Sequence, residues 1–161
     1  MGKKFVVLVT VVIASVFLAA ALYAGTEVKD VISMTADYEH TKGIVEFSHK
    51  KHMEEYAQKY PDLYKDGCGV CHHNDKNEPL KDLKAGDDVK TCIECHKKPG
   101  EVPKSEKNAM KKLSKDEKFK AEMEYHAEAL HENCRGCHKD HQKATKSKDA
   151  PTTCNGCHPK K

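Results

Sequence analysis

The chain has 161 residues and carries 28 basic against 25 acidic side chains, so its net charge is only +3. Beyond residue 24, Phe, Ile, Leu and Val make up 16 of 137 residues, about 12%, well below the roughly 20% under which chains tend to be disordered. This composition argues against a core built from side chains alone, and it indicates either a disordered chain or one folded around a non-protein group.

Residues 1–24 have the features of a secretory signal peptide. Two lysines stand near the start, residues 5–21 are almost entirely apolar, and small residues follow. The pattern predicts cleavage after Ala24, or after Ala21, and a mature, periplasmic domain of residues 25–161. The alternative is a retained membrane anchor, because the apolar run approaches the roughly 18–20 residues that span a bilayer. No second apolar stretch is present, so we expect no membrane contact after cleavage.

Two helices are predicted in the rest of the chain, which six prolines divide into short segments. The first covers about His49 to Tyr60. The second starts at the capping box formed by Ser114 and Glu117 and runs to about His131. Four of its residues share one face: Phe119, Met123, His126 and Leu130. No strand is strongly indicated.

All eight cysteines belong to four copies of the pattern C-x-x-C-H, which is typical of c-type haem attachment. Two thiols bond to the vinyl groups at one edge of a porphyrin, and the next residue places an imidazole under the iron. We therefore expect four haem c groups. A disulfide scaffold and zinc sites are the alternatives, but neither explains a histidine after every second cysteine. The cysteines are Cys68, Cys71, Cys92, Cys95, Cys134, Cys137, Cys154 and Cys157, and the histidines are His72, His96, His138 and His158.

Each iron needs a second axial ligand, and histidine is plentiful enough to supply all four. Two histidines per iron imply low-spin iron of low potential. A methionine in place of one histidine would raise the potential, but Met123 fits the apolar face of the predicted helix and is expected to pack there. His40 and His141 lie in polar stretches, and we expect both to be solvated. The histidines outside the motifs are His40, His49, His52, His73, His126, His131 and His141.

The segment from Phe47 to His52 resembles the Phe-x-His-x-x-His segment ahead of the first haem in the class III cytochromes, the tetrahaem cytochrome c3 family. The resemblance extends from about Gly43 to His158. It implies a small, mostly α-helical or irregular fold with little β structure, wrapped around a four-haem core. A small N-terminal hairpin is usual in the family. For the first to the fourth haem, the resemblance implies these distal ligands: His49, His73, His52 and His131.

The chain departs from the family pattern in two places. All four motifs have two residues between their cysteines, where many family members have four in the second and fourth motifs. Residues 54–67 form an insertion. The fourth distal ligand also has a local alternative, because His126 lies in the middle of the apolar helix face and His131 near its edge. Periodicity alone favours His126, whereas the resemblance favours His131, just before Cys134.

Electron transfer without catalysis is the predicted function. The resemblance implies a periplasmic shuttle, here expected to be a monomer, from hydrogenase or formate dehydrogenase to membrane cytochrome complexes. Lysines outnumber acidic residues by eight to four in residues 97–118 and by six to two after His138. Such runs are either solvated faces or a surface that steers an acidic redox protein. Nucleic acid is not an expected partner, since no binding motif is present. The alternatives are a multihaem reductase, which needs an open position at a metal, and a subunit of a larger assembly.

Overall fold

The computed structural model describes residues 28–160. The predicted signal peptide and its cleavage site lie outside them. The described residues fall into two units. One contains Val28 and the turn Ala85–Asp88, in which Gly86 has a φ of 93° that favours glycine. The other contains residues 29–84 and 89–160. None of the helices in the described part is long and apolar enough to cross a membrane.

A two-stranded antiparallel hairpin lies at the start of the larger unit. Strand β1 is Ile32–Ser33 and strand β2 is Glu46–Phe47. Ile32 lies opposite Phe47, and the Ser33 hydroxyl donates a 2.7 Å hydrogen bond to the Glu46 carboxylate. This is the only sheet in the described residues, so the expectation of little β structure is confirmed. The hairpin places Phe47 directly ahead of His49 and His52.

The predicted helix at about residues 49–60 is confirmed, although much of it is wider than an α-helix. Helix α1 starts as a π-helix, Lys51–Tyr56, and ends as an α-helical turn, Ala57–Lys59. Two short 3₁₀ turns follow, Pro61–Leu63 and Gly67–Val70. The first of these turns lies inside the insertion, and the second carries the first C-x-x-C-H motif.

Residues 81–160 contain five helices, two of which are single turns. Helix α4 starts as the sequence predicts. The Glu117 amide donates to the Ser114 hydroxyl (3.3 Å), and the Ser114 amide donates to the Glu117 carboxylate (3.0 Å). The helices are α2 (Cys92–Cys95), α3 (Lys104–Met110), α4 (Lys115–Met123), α5 (His126–Thr145) and α6 (Cys154–Cys157).

The prediction of one helix from Ser114 to His131 is wrong. Tyr125 is extended, with φ −90° and ψ 125°, and it separates α4 from α5. Helix α5 then continues through the third motif to Thr145. Phe119 is consequently 43% exposed instead of sharing a buried face with His126. No proline or glycine causes the break, so tertiary contacts override the local helix propensity.

The side-chain core of the described residues is small. Its buried hydrophobic members are Val102, Met110 and Tyr125, with Ala121 packed against them. The Tyr125 hydroxyl donates a 2.6 Å hydrogen bond to the Glu106 carboxylate. Three side chains cannot by themselves offset the entropy of ordering a chain of this length.

The prediction that His141 is solvated is also wrong. His141 is only 7% exposed, its ring meets the edge of Tyr60 at 4.6 Å, and its Nδ1 atom lies 3.7 Å from the Asp149 carboxylate. Its sequence neighbours are polar, but the insertion folds back and covers it with Tyr60. His40 is half-buried as well, because its ring stacks on Tyr38 at 4.9 Å.

Candidate haem sites

Each C-x-x-C-H motif forms one helical turn. The cysteines of the second and fourth motifs begin and end α2 and α6, the third motif lies inside α5, and the first begins in the 3₁₀ turn Gly67–Val70. Residues three apart in a helical turn lie on the same face, so the two thiols of each motif stand side by side. Three motif histidines donate their amide to the carbonyl of the first cysteine, at 2.8–3.0 Å: His72, His96 and His158.

Contacts between motifs show that the motifs lie close together. The Asn133 side chain donates to the Cys71 carbonyl (3.1 Å), which joins the third motif to the first. Burial raises the pKa of Cys134 to about 11, and the nearby thiols of Cys157 and Cys92, which belong to two other motifs, add to this effect. Cys134 nevertheless keeps accessible surface. This cysteine therefore lines the interior of the cluster, where a large flat group can reach it.

Four histidine pairs face each other, and each pair joins one motif histidine to one histidine outside its own motif. The ring centroids are 6.0–6.3 Å apart in all four pairs. The pairs are His49 with His72 (6.3 Å), His73 with His96 (6.0 Å), His52 with His138 (6.2 Å) and His131 with His158 (6.2 Å). The structure thus brings together the partners that the resemblance implies.

The spacing within the pairs matches one metal ion per pair. Metal–imidazole bonds of about 2 Å on both sides of an ion place the centroids of two ligating rings roughly 6 Å apart. Packed imidazoles without a metal have no reason to repeat this distance four times. The pairs therefore fit four six-coordinate irons, each with two axial histidines.

Hydrogen bonds at the rear of the rings fix which nitrogen faces the partner. A carbonyl oxygen can only accept, so an Nδ1 atom bonded to one carries the proton and leaves the lone pair on Nε2, where a metal can bind. Five of the eight paired histidines have such a bond. The donors and acceptors are His52 to Ser48 (2.9 Å), His73 to Asn74 (2.8 Å), His138 to Pro151 (2.6 Å), His158 to Gly43 (2.7 Å) and His96 to Met123.

Burial keeps two of the paired histidines in the neutral form that binds metals. Burial lowers the pKa of His52, and the neighbouring rings of His138 and His49 lower it further. The hydrogen bond to the Ser48 carbonyl opposes this effect. Burial also lowers the pKa of His72. Both imidazoles are therefore neutral at neutral pH.

Two distal histidines have a different environment at Nδ1. The Nδ1 atom of His49 is buried and has no hydrogen-bond partner among the described residues. The Nδ1 atom of His131 lies 3.8 Å from the Glu101 carboxylate, at the half-exposed edge of the fourth pair. The first and fourth pairs are therefore supported differently from the second and third.

Phe47 packs between the first and third pairs. Its ring centroid lies 5.8 Å from that of His49 and 4.6 Å from that of His52. Tyr56 meets His52 edge-on at 5.1 Å. These rings set the directions in which the two distal imidazoles point, and they explain why an aromatic residue precedes the His-x-x-His segment.

The two candidates for the fourth distal ligand have different surroundings. His131 faces His158, whereas His126 is 6% exposed and its Nδ1 atom lies 2.9 Å from the Tyr38 hydroxyl. Burial lowers the pKa of His126. The break at Tyr125 divides the one long helix on which the apolar face was inferred, so Phe119 and His126 do not share a continuous helix face.

The sequence gives no signal for the groups that support the axial histidines. The acceptors at Met123, Pro151 and Gly43 are backbone carbonyls, which every residue has. Gly43 differs from Met123 and Pro151 because its residue type matters: a Cβ atom at this position would lie 2.3 Å from the Pro159 carbonyl oxygen. An isolated glycine ahead of the His-x-x-His segment was therefore a usable signal of close backbone approach.

The alternative sites receive no support from the geometry. None of the eight cysteines, all of which lie in the described residues, forms a disulfide. Within residues 28–160, no cluster of three or more His, Cys, Asp or Glu side chains is arranged to hold a metal ion. What the structure contains is pairs of imidazoles, which suffice for an iron whose other four ligands belong to a porphyrin.

Comparison of the sequence with models of protein families agrees with the arrangement of motifs and paired histidines. The model of the Class III cytochrome C family matches residues 26–158. Comparison with curated proteins, and with solved structures, finds no match. The match covers nearly all of the chain beyond its apolar start, and the fold is mostly helical or irregular with one small sheet. The chain therefore belongs to the class III cytochrome c family, and it is a multihaem electron-transfer protein that binds haem c.

Proposed function

We propose that this chain is a periplasmic electron carrier with four covalently bound haems, each held between two histidines. Its electrons would come from a hydrogenase or formate dehydrogenase and pass to membrane redox complexes. The observation that carries the proposal is the set of four histidine pairs with ring centroids 6.0–6.3 Å apart. Four motifs and four distal histidines give one complete set of ligands per haem.

Each residue has a defined task in this proposal. The two cysteines of a motif form thioethers, which hold the porphyrin edge against a helical turn. The motif histidine and its distal partner occupy both axial positions of the iron. When bound, haem iron changes between ferric and ferrous states and so carries one electron.

The residues around the pairs hold the axial imidazoles in place and tune them. An Nδ1–H group bonded to a carbonyl fixes the ring orientation and makes Nε2 a stronger donor. A stronger donor favours ferric iron and keeps the potential low. Because both axial positions are taken by protein, no coordination site is open to a substrate, and this distinguishes a carrier from a reductase.

The lysine runs support an acidic redox protein as the partner. The first run, residues 97–118, begins directly after the second motif, and the Lys98 amide donates to the Glu124 carbonyl after α4 (2.9 Å). Four of the six lysines after His138 lie between the third and fourth motifs, in the last turns of α5 and the segment after it, and the other two follow the fourth motif. Complementary charge would speed association and orient the partner, and it would do so less at high salt.

The test of the proposal is the intact mass of the protein purified from a periplasmic extract, followed by reduction under hydrogen with catalytic hydrogenase. We expect the mass of residues 25–161 plus four haems, and a reduction rate that falls as ionic strength rises. Carbon monoxide should leave the visible spectrum unchanged. A colourless protein, or one whose spectrum shifts with carbon monoxide, would contradict the carrier and in the second case favour a reductase.

A matched pair of variants tests the partner surface. The test variant is Lys148→Glu, because Lys148 belongs to the second lysine run. The control is Lys29→Glu, which makes the same charge change at the N-terminal end of the described residues. We expect slower reduction by hydrogenase only in Lys148→Glu, and the difference should vanish at high salt. Equal rates in the two variants at low salt would remove the second run as the docking surface.

A further inference from the structure

Tyr125 interrupts a stretch of sequence that otherwise favours a helix. Residues 115–131 contain neither proline nor glycine, yet Tyr125 is extended between α4 and α5. The interruption is one residue long, since Glu124 before it has helical angles (φ −68°, ψ −21°) and α5 starts at His126. Such a break needs a cause outside the helix.

The break changes the partner of one carbonyl. In a continuous α-helix the Ala127 amide would donate to the Met123 carbonyl, four residues earlier. In the structure the Ala127 amide donates instead to the Gly100 carbonyl (3.0 Å), and the His126 amide donates to the Lys98 carbonyl (2.8 Å). The Met123 carbonyl is left without a helical donor and accepts from Nδ1 of His96.

Several contacts of the residues around the break hold it open. Tyr125 is 4% exposed, packs with Val102 and Met110, and donates a 2.6 Å hydrogen bond to the Glu106 carboxylate. Lys98 forms a β-bridge with Tyr125 and a 2.7 Å ion pair with Glu124. The segment after the second motif therefore supplies the donors and acceptors that the two helices give up.

We propose that Tyr125 is a positioning residue for the second haem. By keeping α4 and α5 apart, it leaves the Met123 carbonyl free to hold His96, the axial histidine of the second motif. This inference rests on the proposed ligation of the second haem by His96 and His73. Loss of the bond to Met123 weakens His96 as a donor, so the potential of that haem rises and its axial ring loses its fixed orientation.

The variant that removes the anchor is Tyr125→Ala, and its conservative partner is Tyr125→Phe. Alanine is the best helix former and leaves no ring in the core, so α4 and α5 can join and the Ala127 amide can take the Met123 carbonyl. Phenylalanine keeps the ring in place. In the four-haem holoprotein we expect Tyr125→Ala to raise one of the four potentials and to change one low-spin electron paramagnetic resonance signal. Haem methyl resonances should identify the second haem. Tyr125→Phe keeps the ring but loses the hydrogen bond to Glu106, so both of its readouts should lie between those of Tyr125→Ala and the wild type.

A milder pair keeps the test informative if Tyr125→Ala fails to fold. Glu106→Ala and Glu106→Gln remove the same charge, but only glutamine keeps an oxygen that accepts from the Tyr125 hydroxyl. The potential of the second haem should be higher in Glu106→Ala than in Glu106→Gln. Equal potentials in the two Glu106 variants would overturn the proposal. So would a folded Tyr125→Ala protein in which the second haem is unchanged, or in which all four potentials change by the same amount. A wild-type protein without a bis-histidine second haem would instead overturn the proposed function.

Discussion

At the scale of single residues, the paired histidines depend on groups that lie far away in sequence. Nδ1 of His158 donates to Gly43 across 115 residues, and Nδ1 of His138 donates to Pro151. The motif histidines could be identified from the C-x-x-C-H pattern alone. Their backbone acceptors could not, because a carbonyl becomes a specific acceptor only when the fold leaves it without another donor.

The orientation of the paired rings gives a spectroscopic prediction. The rings of His52 and His138 are 24° from parallel, whereas the planes of the other three pairs are 70–88° apart. Because the relative orientation of two axial imidazoles controls the anisotropy of low-spin ferric haem, we expect one low-spin signal of ordinary rhombic shape and three strongly anisotropic ones. Low-temperature electron paramagnetic resonance of the oxidised protein measures this. Four identical line shapes would contradict the ring geometry.

Gly43→Ala should disturb the fourth haem. A Cβ atom at this position would lie 2.3 Å from the Pro159 carbonyl oxygen, so the backbone must move and the Gly43 carbonyl with it. We expect a loss of about 1–3 kcal/mol in the free energy of unfolding and a higher potential for the haem bound by His158. Denaturant unfolding and a redox titration check the two effects. Lys42→Ala, an exposed neighbour, is the control, and an unchanged fourth potential in Gly43→Ala would show that the Gly43 bond does not tune this haem.

At the scale of elements, the sequence predicted helix starts better than helix ends. The capping box at Ser114 and the helix after His49 were both predicted from local patterns. The break at Tyr125 and the extension of α5 to Thr145 were not. A cap is a local interaction between residues three apart, whereas the break depends on Lys98 and Gly100, which no local window contains.

The Ser114 cap should contribute measurably to α4. Ser114→Ala removes the acceptor for the Glu117 amide, and loss of such a cap costs about 0.5–2 kcal/mol of helix stability. We expect faster amide exchange at the start of α4 with all four haems retained. Lys115→Ala, which leaves the cap intact, should exchange like the wild type. Unchanged protection in Ser114→Ala would show that the cap is not needed.

The same cap should weaken in acid. Hydrogen bonds from the Ser114 side chain and backbone hold the pKa of Glu117 below its ordinary value of 4.5. The stabilisation is therefore complete at pH values above the unfolded pKa, and it is lost as the pH falls through the lower folded pKa. Backbone chemical shifts of α4 during an acid titration follow this loss. Fraying of α4 that began well above the unfolded pKa would contradict the assignment to Glu117.

His141 should anchor the insertion of residues 54–67. The ring of Tyr60 packs against it edge to face, and the turn Pro61–Leu63 contacts α5. We expect His141→Ala to lower the free energy of unfolding by about 1–3 kcal/mol and to make the insertion more sensitive to limited proteolysis. His141→Phe keeps an aromatic partner and should retain the protection. Equal cleavage of His141→Ala and the wild type would show that the insertion is held by other contacts.

At the scale of the whole molecule, composition predicted the most general property of the fold. The low content of Phe, Ile, Leu and Val indicated either a disordered chain or a core of non-protein atoms, and the side-chain core of the described residues consists of Val102, Met110 and Tyr125 with Ala121. The pairing of His49, His52, His73 and His131 with particular motifs came from resemblance to a family. Composition and periodicity could not give it, and periodicity alone pointed to His126.

The chain without haem should therefore be largely unfolded. Three buried hydrophobic side chains leave little to oppose the conformational entropy of the chain. We expect protein made without haem attachment to have a far-ultraviolet circular dichroism spectrum of low helix content and no cooperative thermal transition. The holoprotein prepared in parallel is the control. Apoprotein with the same helix content and a cooperative transition would show that the side chains suffice.

The proposed function requires four irons that are each held by two histidines. Spin quantitation by electron paramagnetic resonance of the fully oxidised, purified protein checks this requirement. Bis-histidine ligation of every haem predicts four low-spin ferric spins per chain and no high-spin signal. Fewer than four low-spin spins, or a substantial high-spin component, would mean that at least one of the four histidine pairs does not hold an iron.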